Sequence, residues 1–128
     1  MTTVGHDSSS SFVQAVNASR GGIVLANRVL WATTSQLRRR GLLGRDQLDR
    51  DEGMFIAPTE WVHTFGMQFP IDVAFLSEHG VVLKINHKLR PYRFSKLSLH
   101  AQGALELAAG RLAETGTEIG DTIEFRDI

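Results

Sequence analysis

The chain has 128 residues, 42% of them hydrophobic and 22% charged, and its 14 Lys and Arg residues balance its 14 Asp and Glu residues. A chain of this length buries enough surface for a self-supporting domain, and no apolar stretch approaches the roughly 20 residues of a membrane-spanning helix. The absence of Cys excludes a disulfide scaffold, an iron–sulfur site and a Cys nucleophile, and zero net charge argues against nucleic-acid binding.

The first eleven residues are rich in serine and carry neither a basic start nor an apolar segment. This composition is typical of a disordered leader and not of a secretory signal peptide. We therefore expect residues 1–11 to be a disordered leader and residues 12–128 to form a single globular domain.

The first part of this domain reads as a β-hairpin followed by a helix. Residues 12–16 are β-prone, and the glycine-containing turn at 18–22 leads to a second strand at 23–26. The polar pair at 27–28 is either a tight turn or part of a longer strand. Thr and Ser hydroxyls then offer N-cap chemistry to a short helix over 34–41.

Short apolar runs separated by turn residues predict strands through the rest of the chain. The predicted strands cover residues 53–57, 61–65, 71–76, 81–85, 103–108 and 121–125, and a helical turn covers 111–115. The run at 103–108 could also be helical, but Gly110 would limit a helix there, so a strand is favoured. These elements predict a β-rich domain with one or two short helices.

An arginine run at Arg38, Arg39 and Arg40, with Arg45 close behind it, is the first candidate for binding chemistry. Three adjacent residues splay around roughly 200° of a helix, so they cannot all face one ligand. One or two guanidinium groups could clamp an anion. The alternative is a solvated helix end, where cations complement the helix dipole.

The segment at 61–67 is the second candidate, because Trp61, His63, Phe65 and Met67 would share one face of a strand. Such a row could line a pocket. His63 and Met67 would lie about 13 Å apart along a strand, too far to bind one ion, and only a turn at Gly66 would bring them together, so we predict no metal site. The alternative for His63 is a core histidine whose ring nitrogens are hydrogen-bonded.

A stiff loop at Arg90-Pro91-Tyr92-Arg93 is the third candidate, because proline fixes its own φ and restricts Arg90. Two guanidinium groups and a phenol on a rigid loop can stack on a ring or grip an anion. The alternative is an ordinary exposed basic loop.

Asp72 lies in an apolar run that is predicted to be a strand. Because strand residues alternate between the two faces, its carboxylate either lies on a solvent-facing side or is buried with a partner. The most obvious partner is an arginine, and the alternative is a buried carboxylate that accepts backbone N–H bonds. The chain has no phosphate-binding lysine loop, nucleophile elbow or zinc-protease motif, so nothing identifies an enzyme class.

Several of these segments, in this order and spacing, resemble the family called domain of unknown function 192. The matching segments are Ala32-Thr33-Thr34, Arg38 to Arg45, Glu52-Gly53-Met54-Phe55, His63 to Leu76, Leu89 to Arg93, Ala104 to Gly110 and Gly120-Asp121. The chain departs from the family pattern at Gly66, where many relatives have a bulky aromatic residue, and at Tyr92, where tryptophan is frequent.

The resemblance implies an α+β fold, mostly antiparallel β, with a small, partly open barrel-like sheet and one or two short helices. It implies bacterial or archaeal relatives without an established activity. Some relatives carry an export signal or lipoprotein leader that this chain lacks, so we expect a cytoplasmic location. The family pattern also keeps Arg38 and Arg45 beside Asp72, and we expect one of them to form a buried ion pair with it.

The function that these observations favour is a binding module for a small anionic or saccharide ligand. The ligand-binding residues would be Trp61, His63, Met67, Arg90, Tyr92 and Arg93, with Arg38 or Arg45 assisting. Two alternatives are a hydrolase using Asp72 and His63, and an accessory domain that binds a protein partner. We expect no cofactor, no nucleic-acid partner and no membrane span.

Overall fold

The computed structural model describes residues 11–34 and 41–128. Seven strands are present in this part of the chain: β1 (Phe12–Asn17), β2 (Ile23–Ala32), β3 (Glu52–Ile56), β4 (Ile71–Leu76), β5 (Val82–Leu89), β6 (Gly103–Ala108) and β7 (Ile123–Asp127). A 3-10 turn at Ala18–Arg20 follows β1. The single α-helix of the described residues, α1 (Arg111–Glu114), is one turn long and too short to cross a membrane.

The seven strands form one sheet in the order β5-β4-β6-β3-β2-β1-β7. Neighbouring strands are antiparallel except for β2 and β3, which run parallel. Parallel neighbours need a long crossover connection, and residues 33–51 supply it.

The sheet curls until its two edge strands meet at one end. The backbone N–H of Val82 in β5 donates to the carbonyl of Asp121 at 2.8 Å, and that of Ile123 in β7 donates to the carbonyl of Gly80 at 2.8 Å. The result is a half-barrel, closed near the start of β5 and open elsewhere.

Each face of the curled sheet carries its own apolar core. All seven strands contribute to the inner core, where the rings of Trp31, Phe55 and Phe125 lie 4.7–5.0 Å apart. The outer core includes Met54, Val73 and Met67, and loops before β3 and β4 cover it. Because both faces are covered, β4 and β6 are buried at every residue, which explains why each strand is apolar except for one acid, Asp72 in β4 and Glu106 in β6.

Most of the predicted strands are confirmed, and the pair at 27–28 belongs to one long strand, β2. The segment 103–108 is a strand, and a helical turn follows it. The strand predicted at 61–65 is wrong: this segment is a loop with a single bridge between His63 and Phe94. In the described residues the fold is mostly β, so α+β fits it only loosely.

Two other expectations fall on residues that the structure does not describe. Residues 35–40 include most of the helix predicted at 34–41, and residues 1–10 include nearly all of the predicted leader. Both expectations lie outside the described residues.

Candidate functional site

Buried Thr64 organises the loop that follows β5. Its hydroxyl donates to the carbonyl of Arg90 and accepts the backbone N–H of Arg93 at 2.9 Å. Its carbonyl accepts the N–H of Tyr92 at 3.0 Å, and Tyr92 has a left-handed φ of 61°. The loop at 90–93 is therefore held against the 61–67 segment by one threonine, and both arginines are presented from a fixed backbone.

An exposed row of aromatic rings runs along these two segments. Its consecutive rings are Trp61, His63, Phe65 and Phe94, with Tyr92 at the edge of Phe65. The centroid of Phe94 lies 4.9 Å from that of Phe65 and 5.8 Å from that of Trp61. We call these five residues the aromatic row. Exposed rings packed side by side offer an apolar surface to a flat partner.

A cavity of about 390 Å³ lies between β5 and the loop that follows it. Its lining residues are Ile85, Asn86, His87, Lys88, Leu89, Arg90, Arg93, Phe94 and Lys96. They carry four permanently cationic side chains, and no Asp or Glu of the described residues is among them. We call it the basic cavity. Phe94 belongs both to this cavity and to the aromatic row, so the two surfaces are continuous.

The wall of the basic cavity depends on an irregularity in β5. The register between β4 and β5 shifts between Ile71 and Val73, which face Leu89 and Asn86, so His87 and Lys88 bulge outward. Lys88 has a left-handed φ of 51°, which a lysine rarely adopts. A β-bulge redirects side chains, and here it turns two basic residues toward the cavity.

Asp72 holds this bulge from beneath. It is fully buried, and its carboxylate accepts the backbone N–H of Lys88 at 2.8 Å and that of Leu112 at 2.9 Å. Asp72 thus accepts one backbone N–H from the β5 bulge and one from the first turn of α1. Arg45 is one of the two predicted partners of Asp72. Its Nη2 instead forms an ion pair with Oε1 of Glu52 at 2.7 Å, so the Asp72–Arg45 pair is not formed. The other, Arg38, lies outside the described residues.

The positions of Asp72 and His63 do not support an acid–base pair. Both oxygens of Asp72 accept backbone N–H groups inside the fold. His63 is exposed, and its Nδ1 accepts the N–H of Phe65 at 3.2 Å. Among residues 11–34 and 41–128, no three His, Asp or Glu side chains lie close enough to hold a metal ion.

Two carboxyl groups away from the cavity have shifted pKa values. Burial among apolar side chains raises the pKa of Glu106 in β6 to about 8. A hydrogen bond from Arg20, assisted by one from Asn17, lowers the pKa of Asp121 to about 2. The Asp121 group joins the turn after β1 to the turn before β7, which is a structural role.

The structure separates the six predicted ligand-binding residues into three places. Arg90 and Arg93 line the basic cavity, while Trp61, His63 and Tyr92 lie in the aromatic row beside it. Met67 is buried in the outer core, because the chain turns at Gly66, whose φ is 83°. Met67 is therefore a packing residue and lies outside both surfaces.

Sequence reasoning missed four residues that complete the site: Asn86, Lys88, Phe94 and Lys96. The signal was present, since basic residues flank the Arg90–Arg93 loop on both sides. It was not recognised because the bulge that brings the end of β5 and the loop around one cavity leaves no clear mark in the sequence.

Comparison with known proteins agrees with this architecture. A family model for DUF192, described as "Uncharacterized ACR", matches residues 16–125. The chain belongs to the DUF192 family. No curated protein matched it.

Two solved structures share the DUF192 fold seen here. A protein from Sinorhizobium meliloti 1021, called a "putative transcription regulator", is 23% identical with a TM-score of 0.75, over 95% of this chain and 98% of its own. A protein of unknown function from Novosphingobium aromaticivorans DSM 12444 is 24% identical with a TM-score of 0.75, over 97% of this chain and 93% of its own. At these identities the likeness is one of fold.

Proposed function

We propose that this DUF192 protein is a binding module that takes a small anionic ligand in the basic cavity. The observation that carries the proposal is the charge of that cavity, which is lined by Lys88, Arg90, Arg93 and Lys96 without a carboxylate among the described residues. The cavity has a volume of about 390 Å³ and is widely open to solvent, so a small ligand would be bound with one side exposed. Guanidinium groups recognise carboxylates and phosphates through paired hydrogen bonds.

The aromatic row supplies the second part of the proposed site. Phe94 reaches from the cavity to this row, so a ligand with an anionic group and a ring could contact both surfaces. Apolar or aromatic walls with a few convergent polar groups are typical of ligand sites. This arrangement supports anionic sugars and anionic aromatic compounds as ligand classes.

A thermal-shift titration with carboxylates, phosphates and acidic sugars tests the proposal. A ligand at about ten times its Kd should stabilise the native state by about 1.4 kcal/mol and raise Tm by about 4 °C. The Arg90→Ala, Arg93→Ala double variant should lose this rise. Arg126→Ala, an exposed arginine in β7, is the matched control and should keep it.

The proposal fails if no anion in the panel raises Tm. It also fails if the double variant and the Arg126→Ala control respond equally to every ligand that binds. In the second case the anion binds elsewhere on the molecule.

A second candidate function is favoured by the apolar exposure around the aromatic row. Leu97 and Leu99 continue the exposed surface of Trp61, Tyr92 and Phe94 along the chain. Clusters of exposed aromatic residues are enriched in protein interfaces. An accessory protein would use this surface to bind a partner. Leu97→Ser with Leu99→Ser, which changes neither the cavity lining nor the aromatic row, would then abolish complex formation without affecting anion binding in the cavity.

A further inference from the structure

Exposed apolar side chains are concentrated on two neighbouring loops. Ten large apolar residues of the described chain are exposed, and six of them fall within residues 61–65 and 92–99. These six are Trp61, Phe65, Tyr92, Phe94, Leu97 and Leu99. We call their common surface the loop face. Folded domains rarely expose a contiguous apolar surface that has no binding role.

Backbone hydrogen bonds hold the two loops side by side. The N–H of Ser95 donates to the carbonyl of Val62 at 2.9 Å, and the N–H of Ser98 donates to the carbonyl of Glu60 at 2.8 Å. Val62, Thr64 and Ser98 are buried, so the residues that alternate with them are left on the outside. A fixed backbone arrangement therefore exposes the apolar side chains of the loop face.

The loop face lies in a cationic part of the chain. Residues 61–71 and 79–105 contain no Asp or Glu. Since the whole chain has 14 basic and 14 acidic residues, the rest of it carries a net excess of acids. Glu60 marks the border of the loop face, where its Oε2 accepts the backbone N–H of His100 at 3.1 Å. The Lys and Arg residues of 79–105 are Lys84, Lys88, Arg90, Arg93 and Lys96.

This charge favours an anionic partner, and the ring geometry argues against a nucleic acid. Neighbouring rings of the aromatic row are inclined to one another by 41–75°, so they do not form a flat platform. Single-stranded nucleic acids bind by stacking successive bases on open ring faces. Leu97 and Leu99 are 51% and 61% exposed and have no ring on which a base could stack.

The composition of the loop face also differs from that of a typical protein interface. Protein interfaces are depleted in Lys, and Leu is under-represented among the residues that carry their binding energy. An anionic bilayer suits every class of side chain present here. Its interface favours Trp and Tyr, the boundary of its acyl chains accepts Leu and Phe, and its headgroups attract Lys and Arg.

We propose that the loop face docks on an anionic lipid bilayer, with Phe94, Leu97 and Leu99 entering the boundary between headgroups and acyl chains. Phe94 also lines the basic cavity, so the cations of that cavity then lie at the level of the headgroups. Lipid phosphates are their counterions there. The proposal goes beyond the binding of a small anion and requires no soluble ligand in the cavity.

Cosedimentation with lipid vesicles tests the proposal on the full chain. One set of vesicles contains phosphatidylcholine alone, and the other contains about 30% phosphatidylglycerol. We expect the chain to bind the anionic vesicles about tenfold or more tightly, because each cation near the membrane gains from its negative surface potential. Raising NaCl from about 50 mM to about 300 mM should weaken this binding several-fold.

Trp61 reports directly on contact with the acyl chains. The chain has two tryptophans, of which Trp31 is buried in the inner core and Trp61 is 47% exposed. On anionic vesicles the tryptophan emission should shift to shorter wavelength, and lipids brominated on their acyl chains should quench it. Trp61→Phe should remove both signals, which assigns them to the loop face.

A pair of matched variants tests the apolar contribution. Leu97→Ser with Leu99→Ser should weaken binding to anionic vesicles by about tenfold or more, because the buried apolar area contributes to interfacial binding. Ile23→Ser with Ile128→Ser changes two exposed apolar residues outside the loop face and should bind like the wild type. Equal binding by both double variants would overturn the assignment of the loop face.

The remaining outcomes are equally decisive. Failure to bind anionic vesicles, equal binding to neutral ones, or binding without the Trp61 signals overturns the proposal. A single-stranded oligonucleotide that binds more tightly than the anionic vesicles overturns it in favour of a nucleic-acid interface. An oligomer that the Leu97→Ser, Leu99→Ser variant dissociates, seen by size-exclusion chromatography, overturns it in favour of a second copy of the chain.

The two proposals fail separately. A thermal shift with soluble anions but no binding to vesicles overturns the membrane inference and leaves the small-anion function intact. Binding to vesicles without any thermal shift supports the membrane inference and overturns the small-anion function. The vesicle comparison uses the wild-type chain, so it decides the matter even if a variant does not fold.

Discussion

At the scale of single residues, Glu106 places a carboxyl group inside the outer core. It is only 3% exposed, and it lies opposite Val73 and Met54 in the neighbouring strands. Burial disfavours the charged form, which raises the pKa of Glu106 to about 8. The native protein therefore holds this group protonated at neutral pH, whereas the unfolded chain ionises it.

This difference predicts a pH dependence of stability. Below the unfolded pKa of about 4.5 both states are protonated and burial carries no ionisation penalty. Between that pH and the folded pKa of about 8 the unfolded state binds fewer protons, so the free energy of unfolding falls as pH rises. The fall is at most about 1.4 kcal/mol per pH unit.

Glu106→Gln should remove this contribution, since glutamine has the same shape and no charge. We expect urea unfolding of both proteins from pH 5 to pH 8 to show that the free energy of unfolding of the variant rises relative to that of the wild type as pH increases. Glu78 lies in an exposed turn and serves as the control. The free energy of unfolding of Glu78→Gln should depend on pH in the same way as that of the wild type. Parallel curves for Glu106→Gln would mean that the carboxyl group is not buried.

Asp72 carries a second residue-scale prediction. Asp72→Ala leaves the backbone N–H groups of Lys88 and Leu112 without their acceptor, each at a cost of about 1–3 kcal/mol, so unfolding should become about 3 kcal/mol easier. Denaturant unfolding measures this, with the exposed Asp46→Ala as control. A change below about 0.5 kcal/mol, typical of a surface position, would contradict the assigned contacts.

These two acids show what a single sequence reveals about a site. The apolar neighbours of Asp72 predicted that it is buried with partners, and it is fully buried. They left an arginine and backbone N–H groups as alternative partners, and the structure has the second. They did not identify Lys88 and Leu112, because backbone N–H groups exist at every position and only the fold decides which ones come near. Glu106 lies in an equally apolar run but was not recognised as a buried acid.

At the scale of elements, β3 and β6 approach each other closely because of glycine. A Cβ added at Gly103 would lie 2.6 Å from the carbonyl oxygen of Ile56 and 2.6 Å from Cζ of Phe55. Gly103→Ala should therefore destabilise the protein by roughly 1–3 kcal/mol through overpacking.

A control at Gly116 separates packing from backbone strain. Gly116 has a φ of 67° and open space around its Cα, so Gly116→Ala should cost about 1 kcal/mol from strain alone. Thermal or urea unfolding compares the two variants. A neutral Gly103→Ala would show that the strands can separate enough to admit a methyl group.

The loop before β4 gives a second prediction at this scale. Thr64→Val keeps the side-chain shape but removes the hydroxyl that contacts Arg90 and Arg93. We expect a loss of about 1 kcal/mol in unfolding free energy and weaker anion binding. Ser77→Ala, in a turn remote from the cavity lining, should leave anion affinity unchanged. Unchanged affinity in Thr64→Val would mean that the loop does not need this threonine to present its arginines.

Sequence patterns located most strands because apolar runs bounded by turn residues are a local property. The segment 61–65 has the same composition as a strand but pairs through only one bridge, since the N–H groups of Val62 and Thr64 bond to the 93–95 loop. Its alternation still places Trp61, His63 and Phe65 in one row of rings. The prediction of a strand at 61–65 was thus wrong, but the prediction that its aromatic side chains lie on one side was correct.

At the scale of the whole molecule, zero net charge conceals a strongly uneven distribution. The formal charges sum to zero over the chain, yet one cavity gathers four cations. Net charge does not report such local clustering, which depends on a β-bulge and a loop that close around the same space. The sequence therefore indicated the arginine loop and the aromatic residues but not the cavity between them.

This charge distribution predicts a salt dependence of binding. Anion affinity should fall several-fold when NaCl rises from about 50 mM to about 300 mM, because salt screens partly exposed charges. Titrations at both concentrations measure this. An affinity independent of salt would contradict an electrostatic role for the cavity.

The basic cavity and the aromatic row together make one proposed binding site, and an amide-resolved NMR titration distinguishes one continuous site from two separate surfaces. Adding an anion that raises Tm in the thermal-shift panel to ¹⁵N-labelled protein should shift backbone signals of residues 85–96 and 61–65 in a saturable manner. Shifts elsewhere, or none that saturate, would contradict a single continuous site.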